Sequence, residues 1–126
     1  MTSLSTGTLS ISDAAVATGV SPHTLRYYER AGLIDPVGRA GSSHRRYTGT
    51  EIAWVVFLTK LRATGMPIRR MRDYADLVRN GVGNEAERLA LLEEHRTTVR
   101  AQLAEAAGNL AAIETKIEIY KERITS

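Results

Sequence analysis

Residues 11–34 read ISDAAVATGVSPHTLRYYERAGLI, and two short helix signals inside this stretch decide the fold. Ser12 is placed to cap a small-residue helix, DAAVAT, that stops at Gly19. Ser21 and Pro22 then supply an N-cap followed by proline at the first helical position, where the missing N–H is no loss. The second helix, PHTLRYYER, ends before Gly32. Two short helices around a glycine-containing turn predict a helix-turn-helix. Ala14, Ala15 and Val20 can face Leu25 and Tyr28 across the pair, Ala15 is small where the helices cross, and Gly19 permits a positive φ in the turn.

Outward from this unit, a short strand is predicted over Leu9, Ser10 and Ile11, preceded by MTSLSTGT, eight residues whose small, polar character predicts fraying. Downstream, Leu33-Ile34, the loop DPVGRAGSSH and Arg45-Arg46-Tyr47 predict a β-hairpin, which after a helix-turn-helix is a wing. Thr48 and Glu51 have the spacing of a capping box and open the helix GTEIAWVVFLTKLRA, which closes at Gly65. Pro67 opens the next helix, which ends near Gly81. Trp54, Val55, Phe57, Leu58 and Leu61 are the expected core beneath the wing.

Asn84-Glu85-Ala86-Glu87 predicts a second box, opening a helix that runs almost to the C-terminus. Along it Leu92, Arg96, Val99, Leu103, Ala106, Leu110, Ile113, Ile117, Tyr120 and Ile124 alternate in steps of four and three, a heptad seam interrupted at Arg96. A helix of about 40 residues is about 60 Å long, too long to bury that stripe against the small domain before it. The stripe calls for a partner, and a second copy is the simplest one; folding back onto its own domain is the alternative.

Composition narrows the function classes. The sequence has no cysteine, which removes disulfides, thiolate metal sites and thiol redox sensing together. His23, His44 and His95 show no ligand spacing, so neither a metal nor a cofactor is expected. Asp13, Glu29 and Glu51 form no acid–base pair, and Glu51 is explained by its cap, so an enzyme is not expected. No apolar run is long enough to span a bilayer and no secretory leader opens the chain, so the expected location is the cytoplasm. The net charge of +3 is uninformative until divided: residues 1–80 hold 11 Lys+Arg against 6 Asp+Glu, and residues 81–126 hold 6 against 8. A basic N-terminal part joined to a mildly acidic helix is consistent with separate tasks.

The segment 11–34, with Arg39, then HRRYTGTEI (44–52) and LRATGMPIRRMRDY (61–74), resembles the MerR, or mercury-resistance-regulator, family. The string TLRYYERAGLI, followed by Arg45 and Tyr47, is far more specific at this spacing than a generic helix-turn-helix. The resemblance covers about residues 9–80 and implies a mainly α fold: a winged helix-turn-helix DNA-binding domain, a second helix pair and a long C-terminal coiled-coil dimerisation helix, here over 84–124. It also implies an antiparallel homodimer on a pseudo-palindromic promoter operator, bending and untwisting the DNA so that RNA polymerase can use it. Family members that sense metals or redox stress use cysteines, and those that sense drugs carry a large ligand domain after the coiled coil. With no cysteine and a sequence ending at Ser126, signal input is expected to be missing or unconventional, and no effector is identified.

The candidate DNA contacts follow. Pro22, His23 and Thr24 form the first turn of the second helix, whose N–H groups suit a phosphate or a base edge. Arg26 can reach guanine edges or phosphate and Tyr27 a phosphate, while Tyr28 packs inward. The resemblance places Arg39 and Arg45 in the wing against phosphates, and Arg62 near a phosphate late in the third helix. Tyr47 can touch phosphate, pin the wing, or do both. Lys60, Arg69, Arg70 and Arg72 either extend this footprint or form a solvated face. The dimer seam is expected at Val99, Leu103, Ala106, Leu110, Ile113, Ile117, Tyr120 and Ile124. Two other functions compete: an effector-free repressor or architectural binder of the same fold, and a small-molecule sensor or enzyme with a site near Trp54, Tyr74 and Tyr120.

Overall fold

The computed structural model describes residues 7–35 and 46–126. In chain order the elements are β1 (Thr8–Ser10), α1 (Ile11–Thr18), α2 (Pro22–Arg30), β2 (Arg46–Thr48), α3 (Gly49–Ala63), α4 (Ile68–Asn80) and α5 (Glu85–Thr125). The chain divides into two compact units, Met1–Arg88 and Leu89–Ser126. The expected mainly helical architecture, with a helix-turn-helix, a second helix pair and a long last helix, is what the chain adopts.

Local chemistry accounts for the helix boundaries. Ser10, rather than Ser12, caps α1: its Oγ accepts the Asp13 N–H at 3.2 Å, so the helix begins two residues earlier than its small-residue run. Gly19 ends α1 at φ +79°, and its N–H reaches Ala15 O at 2.9 Å. Ser21 caps α2 by accepting the Thr24 N–H at 3.0 Å. At the end of α2, Gly32 donates to Glu29 O and Leu33 to Tyr28 O, the paired bonds of a Schellman ending with Gly32 at φ +82°. α3 stops the same way, Gly65 donating to Arg62 O and Met66 to Leu61 O. In both, the residue after the glycine is apolar and buried, which turns the chain back under the helix it has left.

α3 opens on the expected capping box, with the Glu51 N–H on Thr48 Oγ1 at 3.1 Å and the Thr48 N–H on Glu51 Oε1 at 3.0 Å. Asn84 departs from expectation. Its carboxamide donates to Leu77 O at 2.7 Å and accepts from Arg88 Nε at 2.9 Å, so it binds the end of α4 to the start of α5. Arg88 completes that corner by donating to Gly81 O at 3.0 Å.

The expected strand partner also changes. β2 pairs antiparallel with β1, Leu9 opposite Tyr47, whereas Leu33 and Ile34 are buried outside any strand. The Leu33 N–H is already spent on the α2 ending, which removes it from a ladder. Thr8, expected to fray, stands opposite Thr48 in that ladder. Residues 36–45, which hold the rest of the anticipated wing loop after Asp35, lie outside the described residues.

Ala14, Leu25, Tyr28, Leu33, Ile34, Tyr47, Val55, Leu58, Leu61, Met66, Met71 and Ala75 form the core of the first unit. Burying each large member contributes about 1.5–3 kcal/mol, which fixes α1 against both α2 and α3. Phe57, expected in the core, is 37% exposed and tilts against Tyr74 at 5.9 Å. Trp54 is half-buried; it stacks on Tyr74 at 5.7 Å and donates its indole N–H to Leu33 O at 2.7 Å.

In the second unit every residue from 101 to 126 is exposed, including Leu103, Leu110, Ile113, Ile117, Tyr120 and Ile124 of the heptad seam. Among the described residues no helix is long and apolar enough to cross a membrane.

Candidate nucleic-acid interface

α2 has two faces with different chemistry. Leu25 and Tyr28 point into the core, three residues apart, as an inward helical stripe requires. The remaining face presents His23, Arg26 and Tyr27 to solvent, Tyr27 at 41%. Arg30, not singled out from the sequence, is exposed on the same stripe, four residues beyond Arg26 and seven beyond His23. That spacing was the available signal: positions i, i+3, i+4 and i+7 share a helical face. The exposed surface of this short helix therefore carries two guanidiniums, an imidazole and a phenol, groups that read base edges and hold phosphates.

At its N-terminus Pro22 and Thr24 are half-buried. The Ser21 hydroxyl donates to Thr24 Oγ1 at 3.0 Å while accepting the Thr24 N–H, so the Thr24 side chain is oriented by the cap itself. The first turn still offers the positive end of the helix dipole to an anion.

The other expected contacts divide. Arg62, exposed on α3, reaches its own chain at Met66 O only at 3.4 Å. Tyr47 is 1% exposed, so its ring supplies the pinning half of the two roles considered for it. Arg39 and Arg45 lie outside the described residues, as does the Arg46 side chain. On α4, Arg70 pairs with Asp73 at 3.1 Å, whereas Arg72 donates from Nε to Ala31 O at 2.8 Å at the exit of α2.

Burial raises the Tyr28 phenol above its ordinary range; the Arg62 guanidinium partly offsets this and the neighbouring Tyr27 adds slightly to it. Tyr28 thus stays a neutral core residue, consistent with a structural role beneath the exposed stripe. A cavity of about 240 Å³ is lined by Ile34, Trp54, Ala75 and Val78 together with the charged Asp35, Glu51 and Arg79. All three charged liners are committed, Glu51 to the Thr48 N–H and Arg79 to Asp35 and to Asp76 outside the lining. Among the described residues no group of three acidic or histidine side chains could hold a metal ion.

Residues 9–77 match the MerR helix-turn-helix family of regulatory proteins. The chain belongs to the MerR family. It is similar to a helix-turn-helix transcriptional regulator of Haemophilus influenzae, with 33% identity over 91% of this chain and 85% of the relative. It superposes with a TM-score of 0.83, at 33% identity and over 92% of each chain, on HiNmlR, a MerR family regulator lacking the sensor domain, solved bound to promoter DNA. A MerR-family regulator from Listeria monocytogenes gives a TM-score of 0.85 at 33% identity, covering 90% of this chain and 86% of that one. The MerR assignment agrees with the resemblance carried by residues 11–34, 44–52 and 61–74.

Proposed function

We propose that this MerR-family chain is a homodimeric transcription regulator that binds a two-fold symmetric operator in promoter DNA. The observation that carries the reading is the outward stripe of α2, His23, Arg26, Tyr27 and Arg30, backed by buried Leu25 and Tyr28. Such a helix is rigid, basic and of a size that enters the major groove. Arg26 is the base- or phosphate-reading residue, Tyr27 and the first turn at Pro22, His23 and Thr24 hold backbone phosphates, and Arg62, Arg39 and Arg45 widen the phosphate contact. Residues 9–80 serve as the DNA-binding domain and 84–124 as the dimerisation helix.

The dimer follows from the solvated seam. Leu103, at 65% exposed, and Ile113, Ile117 and Tyr120 along the same stripe are what a second α5 would cover. Two heads held apart by one coiled coil match an inverted repeat, and bending or untwisting the duplex between them is the means by which RNA polymerase gains or loses the promoter. The cytoplasm is where such a regulator meets its DNA.

A second reading, regulation without a dedicated ligand domain, draws on the likeness to HiNmlR, itself described as lacking the sensor domain. Selection of bound duplexes from a random pool, followed by transcription from the selected promoter, tests both. An inverted repeat is expected to be enriched, and repression without conditional activation would favour the second reading. Arg26→Ala is expected to lower operator affinity by about 10- to 100-fold with an unchanged helical circular-dichroism spectrum. Equal enrichment of random duplex would overturn the proposal.

A further inference from the structure

We infer that Arg72 and Arg79 of α4 are positioning residues that lock the exit of the recognition helix, and so set its angle in the groove without touching DNA. The need for such a lock arises in the α2 ending. Its Schellman turn engages the Gly32 and Leu33 N–H groups but leaves the Ala31 and Gly32 carbonyls pointing out of the helix as acceptors. These carbonyls sit at the negative end of the helix dipole, where a cation is favoured.

α4 supplies two cations seven residues apart, one face of the helix two turns long. Arg72 donates from Nε to Ala31 O at 2.8 Å, and its side chain lies over Gly32, within 3.8 Å of where a Cβ would stand there. Arg79 donates from Nη2 to Gly32 O and from Nε to Asp35 Oδ1 at 2.6 Å, while Nη1 takes Asp76 Oδ1 at 2.9 Å. One planar guanidinium therefore joins the α2 exit, the residue that leads out of it and α4 itself. A lysine carries its three donors on one nitrogen and cannot reproduce the planar fork that spans these separated acceptors. The contacts span 41, 44 and 47 positions of sequence, so they are tertiary ties rather than local caps.

The inference rests on α2 being the recognition helix, and the test separates the two claims. The double variant Arg72→Gln with Arg79→Gln is compared with the full-length wild type in operator affinity, non-specific affinity, salt dependence and amide hydrogen exchange. A lost phosphate contact lowers the slope of log affinity against log salt by about one per arginine. A lost positioning contact leaves that slope, and the non-specific affinity, where they were. The expected result is an operator affinity lower by about tenfold, an unchanged salt slope, and faster exchange at the Gly32 and Leu33 amides relative to the core of α3. A slope reduced by one or more per arginine overturns the inference, because the side chains then contact phosphate. Unchanged exchange at Gly32 and Leu33 overturns it as well. Should wild type show no preference for an inverted repeat, the recognition reading falls, and exchange at those two amides alone decides the lock. If the glutamine pair does not fold, Arg72→Lys with Arg79→Lys keeps both charges, removes the fork, and is judged on the same four readouts.

Discussion

The two units of this chain solve the problem of apolar surface in opposite ways. In Met1–Arg88, short helices of 8 to 15 residues bury Leu25, Leu33, Val55, Leu58 and Met71 almost completely within their own fold. In Leu89–Ser126, one helix leaves Leu103, Leu110, Ile113, Ile117 and Ile124 in solvent. The first unit closes its core alone. The second keeps a regular seam in solvent, the surface that the proposed dimer would cover. Under the proposed dimer, stability is divided: the first unit depends on sequence only, the second on concentration as well.

The sharpest way to break this contrast is to charge the seam. Ile113→Asp with Ile117→Asp is expected to leave the first unit folded while the chain sediments as a monomer at micromolar concentration. Operator affinity should fall by about 10²- to 10⁴-fold, the scale at which bivalency is lost. A dimer that survives both aspartates would remove the seam from the account.

The converse experiment opens the core. Leu58 is fully buried, and Leu58→Ala is expected to cost about 2–5 kcal/mol in urea unfolding followed at Trp54. A smaller effect is expected from the α3 cap: Thr48→Ala removes the acceptor for the Glu51 N–H and should cost about 1 kcal/mol.

The smallest effect concerns alkali. Burial holds the Tyr28 phenol above its ordinary range, so the folded protein keeps this proton longer than the unfolded chain does. Stability is therefore intact below a pH of about 10 and declines as pH climbs towards and through the folded value. Tyr28→Phe should flatten that decline, read as the thermal midpoint against pH. An identical alkaline slope in the variant would assign it to other groups.

Most of the first unit was legible because its signals are local. Ser21-Pro22, the Thr48–Glu51 box and the glycines at 32 and 65 act within one turn, and each stands where its chemistry predicts. The heptad seam was legible for a similar reason, since period alone reveals a stripe. What escaped was decided at long range. Nothing near Tyr47 says that its strand partner is Leu9 rather than Ile34, nor that the Leu33 N–H is engaged at the α2 ending. Asn84 carries the composition of a cap yet reaches back to Leu77. Arg72 and Arg79 look like a solvated helix face until their partners 41 to 47 residues away come into view. Of the interface, the inward and outward faces of α2 could be read from helical spacing, Arg30 included.

The bond from the Trp54 indole to Leu33 O has a practical consequence. Trp54 is the sole tryptophan of the chain, and its hydrogen-bond acceptor belongs to the residue directly after Gly32, at the exit of α2. The protein thereby carries an unlabelled optical gauge beside the very segment that moves if α2 shifts on its target. Its emission colour and lifetime offer a direct, single-site readout of DNA engagement in the unmodified regulator.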